Sequence, residues 1–307
     1  MTKKNNTATG KTKSKKTFKN YIFDLYGTLL DISTDEHKNS LWKLMAQAYN
    51  AYGCEWTPKR LHDAFFKADS EERVKLKNKT GFNNPEIKLE KVFARMLFEA
   101  PAYHESGMQV DVMDENAGLM VRATLAELKD YIAHGGENEL MESFYKSSWV
   151  TFIANLFRIY SRKYFRPYRN TFEFLDYLKN NGKGIYLLSN AQAVFTMPEI
   201  EESGLLEYFD RIYISSDLEM MKPQKEFMEE LLAGEGLDRS ECVMVGNDVN
   251  SDIRIAVRCG MNSILLNTFG LKEAELKKQI RDLLAEEKAG RSLAPKIVMS
   301  GDIGELM

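Results

Sequence analysis

Four short stretches carry residue types that together suit phosphoryl transfer. In YIFDLYGTLLD (residues 21–31) Asp24 follows an apolar run, and Gly27-Thr28 turns the chain sharply just after it. A carboxylate held there can attack phosphorus and form an acyl phosphate; the same side chain can equally cap the turn. Ser189-Asn190 ends the run in YLLSNAQ, where a hydroxyl and nearby backbone N–H groups can hold a phosphoryl oxygen or, alternatively, cap a helix. Lys222, in MKPQKEF ahead of a helix opened by Pro223, can neutralise the nucleophile and the group in transfer, or be an ordinary surface lysine. In VMVGNDVNSDI, Asp248 and Asp252 are four apart beyond another apolar run. With Asp24 they make an all-oxygen set of the kind magnesium takes, since that ion keeps waters and binds phosphate; a solvated loop and helix cap is the plainer reading. What joins the four is that each stands at the end of a strand.

The strands are read from short β-branched or apolar runs: YIF (21–23), GIYLLS (184–189), RIYIS (211–215), CVMVG (242–246), SILLN (263–267) and KIVM (296–299). Helical patterns lie between the later ones, over NTFEFLDYLKNNG from a cap at Asn170, over KEFMEELLAGEG and over SDIRIAVRCG, each stopping at glycine. Strand alternating with helix predicts an α/β fold, a doubly wound parallel sheet of Rossmann-like type, with ligands bound at the carboxyl ends of its strands.

The interval from about 33 to 165 differs, with helical stretches and no clear strand. In HKNSLWKLMAQAYNAYG the residues Leu41, Leu44, Met45, Ala48, Tyr49 and Tyr52 share one face, and Thr57-Pro58 and Asn84-Pro85 read as helix starts. NELMESFYKSSWVTFIANLFRIYSRKYF reads as one long aromatic helix, its stripe chiefly core. Trp149, Phe152, Arg158, Tyr160 and Arg162 are the candidates there for lining a pocket. Residues 103–136 show too little periodicity to place. The expected organisation is a core domain from 19–32 and 165–307, a helical domain at 33–164 inserted after the first strand, and a basic tail at 1–18.

That tail, with Lys3, Lys4, Lys11, Lys13, Lys15, Lys16 and Lys19 close by and no acid, is expected to be disordered rather than a nucleic-acid arm, and it lacks the apolar region of a secretory signal. The 307 residues are 44% hydrophobic and 28% charged with net charge −3, ordinary globular composition without the basic excess of a nucleic-acid binder. No apolar run approaches the ~18 residues of a spanning helix. Cys54, Cys242 and Cys259 are too scattered for a disulfide framework or a zinc site and read as core residues of a cytoplasmic protein, and no histidine has metal-ligand spacing. Oligomeric state is left open.

DLYGT (24–28), SN (189–190), KP (222–223) and GNDVNSD (246–252) together resemble the four motifs of the haloacid dehalogenase-like hydrolase superfamily. The resemblance covers about residues 18–32 and 165–307, and the inserted region resembles that superfamily's C1 cap in position. It implies Asp24 as nucleophile and magnesium ligand, the Tyr26 backbone carbonyl as a second ligand, Asp248 as a third, and Asp252 as a direct or water-bridged one. Asn247 stands where many relatives carry the first acid, so the division between Asp248 and Asp252 stays open. Thr28, Ser189, Asn190 and Lys222 are the phosphoryl-binding candidates, with Lys222 also catalytic.

Tyr26 departs from the phosphatase pattern, which has a second Asp to protonate the leaving alcohol and then activate water. A phenol, with pKa about 10, is a poor base near neutrality. Haloacid dehalogenases have Tyr there, but displacement of halide needs no metal, and Asp248 with Asp252 would repel a carboxylate substrate unless a cation lay between them. The expected function is therefore a magnesium-dependent phosphohydrolase acting on a small phosphorylated metabolite through an aspartyl-phosphate, slowed by the missing acid. The alternatives are a 2-haloacid dehalogenase and a non-catalytic phosphate- or nucleotide-binding module; a phosphomutase or phosphonatase is a more distant one.

Overall fold

The computed structural model describes residues 18–101, 109–114, 119–124, 127, 130 and 144–307. The expected basic tail, but for Phe18, and most of the unplaced stretch 103–136 lie outside the described residues, as do His104 and His134. Six strands form one parallel sheet: β1 (Asn20–Phe23), β6 (Gly184–Ser189), β7 (Arg211–Ile214), β8 (Cys242–Gly246), β9 (Asn262–Leu266) and β10 (Lys296–Val298). Their order is β10-β9-β8-β1-β6-β7. β1 is central, with Phe23 level with Leu187 of β6 and Val245 of β8.

Strand residues alternate between two cores, as a pleated strand requires. Phe23, Leu187 and Val245 face one side with Phe174, Leu175 and Leu178 of helix α5 (Thr171–Asn180). Ile22, Leu188 and Met244 face the other with Phe227, Met228 and Leu231 of α8 (Lys225–Gly234) and Ile255 of α9 (Arg254–Arg258). Beyond them α10 (Glu273–Glu286) packs Leu276, Ile280 and Leu283 with Leu265. The expected α/β sheet is therefore present, and all three cysteines are buried and unbridged. The helix expected to open at Pro223 starts two residues later, at Lys225, after a cis Lys222–Pro223 bond. Asn170 does precede α5, but in the left-handed region (φ 60°), and its side chain donates to Asp302 instead of capping the helix.

The interval between β1 and α5 builds its own core from α1 (Asn39–Asn50), α2 (Pro58–Thr80), α3 (Leu89–Phe98) and α4 (Ser148–Ser161). On α1 the buried residues are Leu41, Trp42, Met45, Ala46 and Tyr49, so the inward face is turned toward Trp42 relative to the expected stripe. Thr57 caps α2 by accepting from the Arg60 N–H at 3.3 Å, with Pro58 in the first turn. Asn84-Pro85 starts no helix: Pro85 pairs with Met220, and α3 begins at Leu89.

The expectation of no strands here is corrected. β2 (Leu30–Thr34) pairs antiparallel with β5 (Arg162–Pro167), and β3 (Gln109–Asp114) with β4 (Leu119–Thr124). The long helix expected over 138–165 stops at Ser161, where Arg162 turns extended (φ −68°, ψ 130°) and pairs with β2. A cross-strand partner far along the chain outweighs local helical periodicity. Among the described residues, no helix is long and apolar enough to cross a membrane.

Candidate active site

The strand order brings three of the motifs side by side. β1 carries Asp24 at its carboxyl end, β6 ends in Ser189 and β8 runs into 247–252, so the flanking strands of β1 deliver their motifs to its tip. The Asp24 N–H donates to the Val245 carbonyl at 2.9 Å, continuing the ladder up to the carboxylate. The chain then folds back within four residues, Leu29 N–H and Leu30 N–H both donating to the Leu25 carbonyl. Gly27 takes φ +85°, and a Cβ there would stand 2.3 Å from Asn247 Nδ2, so glycine is required twice over.

Asp24 Oδ1 accepts from Lys222 Nζ at 2.7 Å and Oδ2 from Thr28 Oγ1 at 3.1 Å. Lys222 is almost fully buried, and its ammonium also donates to the Leu188 carbonyl at 2.7 Å and pairs with Asp252 Oδ1 at 2.8 Å. All three of its donors are thus engaged. Burial pushes the Asp24 carboxyl from 3.8 up to about 6; Lys222 opposes that rise and Asp252 adds to it. Burial works to lower the Lys222 ammonium, but Asp24 and Asp252 hold it above its ordinary value.

Asp248 and Asp252 separate clearly. Asp252 is buried, its Oδ2 accepting the backbone N–H groups of Asn247 and Asp248 at 3.0 Å each. A Cβ on Gly246 would overlap that oxygen at 2.3 Å. Asp248 is exposed and its Oδ1 accepts the Asn250 N–H at 2.6 Å. Asn190 clamps the lysine loop: its Oδ1 accepts the Lys222 N–H at 2.7 Å and its Nδ2 donates to the Lys222 carbonyl at 3.0 Å. Ser189 is fully buried, and its Oγ has no hydrogen-bond partner. Among the described residues no group of three His, Cys, Asp or Glu side chains is gathered as a metal site. The donors that do stand here, carboxylate and carbonyl oxygens, are nevertheless the chemistry a hard divalent ion takes while keeping waters.

Tyr26 points away from this cluster. Its hydroxyl donates to Glu199 Oε2 and lies 3.2 Å from Thr196 Oγ1, both on α6 (Ala193–Glu202). Burial pushes the phenol well above its ordinary value, with Glu199 adding to the rise. Glu199 is gripped by Arg158 of α4 through two bonds of 2.8 and 2.9 Å, and by Arg162 at 3.3 Å. The Arg158 guanidinium also lies over the rings of Tyr26 (5.3 Å) and Phe195 (5.5 Å). Of the aromatic-stretch candidates, Trp149 is core, Phe152 and Tyr160 are exposed, and Arg158 and Arg162 reach this position.

The sequence reading missed Glu199, Thr196 and Gln192. The signal was present as polar residues at 192, 196 and 199, spaced four and three along α6, a polar line on a helix that is otherwise largely apolar there. Gln192 joins the layers, donating to the Ile87 carbonyl and accepting the Leu89 N–H, each at 2.9 Å.

A buried carboxylate paired with a buried lysine, and a buried hydroxyl without a partner, stand together at the tips of neighbouring strands of a parallel sheet. The family model for haloacid dehalogenase-like hydrolases matches residues 18–260, and the chain belongs to that family. It is 34% identical over 110 residues to a glyceraldehyde 3-phosphate phosphatase of Methanothermobacter thermautotrophicus, covering 36% of this chain and 48% of the relative. To a phosphoglycolate phosphatase of Nitrosococcus oceani it is 24% identical over 169 residues, covering 51% and 74%. The chain spans about half the length of the first of these relatives. The solved structure of L-2-haloacid dehalogenase from Xanthobacter autotrophicus matches over 94% of this chain and 98% of its own, at 16% identity and a TM-score of 0.45.

Proposed function

We propose that the protein is a phosphohydrolase of small phosphorylated metabolites, with Asp24 as the nucleophile that carries the phosphoryl group. The observation that carries this reading is a carboxylate held on one oxygen by a buried ammonium, beside a buried hydroxyl without a partner. Lys222 offsets the charge of Asp24 and of the incoming group, while Thr28, Ser189 and Asn190 orient and bound the phosphoryl pocket. Relatives named glyceraldehyde 3-phosphate phosphatase and phosphoglycolate phosphatase support phosphohydrolase chemistry. The helical region acts as the cap domain and selects the substrate, the rest being the core.

Magnesium would be held by Asp24, the Tyr26 carbonyl and the exposed Asp248, with Asp252, already saturated, steadying Lys222 and the loop behind it. When bound, it would supply charge neutralisation at the phosphoryl oxygens. The test is a panel of phosphate esters with magnesium or EDTA, on the parent and on Asp24→Asn, which is expected to be inactive; equal activity in the two proteins excludes the reading.

One observation favours the second reading, 2-haloacid dehalogenation. The cation that a carboxylate substrate would need between the acids is already there as Lys222, bridging Asp24 and Asp252. Halide release from a haloacetate in EDTA would establish it.

A further inference from the structure

Phosphoryl transfer to Asp24 leaves an oxygen that must either take a proton or depart as a stable anion, and the described neighbours of Asp24 are committed to other bonds. Tyr26, two residues on, has its hydroxyl proton directed to Glu199 rather than toward Asp24. Glu199 is itself held in place, Arg158 binding both of its oxygens and Arg162 one of them. Lys222 spends its three N–H bonds on Asp24, Leu188 and Asp252. Thr28 and Ser189 are hydroxyls, far too weakly acidic to serve.

We infer that the substrates are phosphorylated compounds whose leaving group departs without a proton, namely acyl phosphates and phosphoanhydrides, rather than alkyl phosphate monoesters. The inference rests on the phosphohydrolase reading and narrows it. In the first step an Asp24 oxygen forms a bond to phosphorus while the bond to the leaving oxygen breaks, and that oxygen keeps the electron pair as a carboxylate or phosphate. In the second, water bonds to phosphorus, the bond to Asp24 breaks with its pair returning to the carboxylate, and the water's proton passes to solvent.

Arg158 comes from α4, so the helical layer supplies the side chain that commits Glu199, and through it Tyr26, to a structural bond.

The experiment is a leaving-group series on the full chain with magnesium: acetyl phosphate, 4-nitrophenyl phosphate, phenyl phosphate and glycerol phosphate, run in parallel on Asp24→Asn. The expected result is Asp24-dependent turnover whose kcat/KM falls along the series, with the alkyl ester at least about 100-fold below acetyl phosphate, the lower end of what a positioned acid supplies. A smaller gap overturns the inference while leaving the phosphohydrolase reading intact. Absence of Asp24-dependent turnover on all four compounds removes the phosphohydrolase reading and the inference together.

Discussion

Tyr26 gives its hydroxyl to Glu199, a buried carboxylate of α6 that is already chelated by Arg158. Tyr26, two residues after Asp24, is thus a tie between the loop after β1, α6 and the helical layer, and its phenol is committed to that bond.

Tyr26→Asp exchanges that tie for a short carboxyl near Asp24. Turnover of alkyl phosphates is expected to rise by up to about 10²–10⁴-fold, the range of general acid–base help, and the leaving-group series to flatten. The same change removes the phenol from Glu199 and from under Arg158, so the midpoint of thermal unfolding is expected to fall. A variant no faster than its parent on every ester would show that the acid is not what limits the enzyme.

Lys222→Met leaves Asp24 and Asp252 buried without their shared cation. Removing one partner of a buried charge cluster costs about 3–5 kcal/mol, so urea denaturation should shift by that order. Adding Asp252→Asn should recover part of the loss, because it removes one of the two stranded charges.

Stability without metal should depend on pH through Asp24. Its folded pKa, about 6, lies above the ordinary 3.8, so the folded state binds this proton more tightly than the unfolded chain. The resulting stabilisation is fully present below about pH 4 and is lost as pH rises through 6, a change of about 3 kcal/mol at 1.36 kcal/mol per unit. In EDTA the parent should therefore lose stability relative to Asp24→Asn between pH 4 and 7. Parallel unfolding curves for the two proteins across that range would count against it.

Gly27→Ala combines a left-handed backbone (φ +85°) with a Cβ placed 2.3 Å from Asn247 Nδ2. An L residue there costs about 1–2 kcal/mol in backbone strain alone. Displacement of Asn247 moves the loop bearing Asp248, so weaker magnesium binding by calorimetry should accompany the loss of stability.

The strands of the sheet were legible because their signal is local. GIYLLS and CVMVG coincide with β6 and β8 residue for residue, since a strand buried on both faces needs an uninterrupted apolar run. The β2–β5 ribbon was not, because RKYFRP carries no such run and is held extended by a partner more than a hundred residues away. The sequence by itself determined the parallel sheet and that Asp24, Ser189 and the 247–252 stretch follow strand tips; Lys222, read as a fourth strand-end residue, instead lies in the loop beyond a short helix at Ser215–Leu218 that follows β7. Only the tertiary structure decided their division of labour: that Lys222 sits between Asp24 and Asp252, that Asp252 is buried while Asp248 is exposed, and that Tyr26 belongs to Glu199. The physical reason is range. Hydrophobic periodicity is written within a few residues, whereas the partner of a buried charge depends on which strands and loops become neighbours.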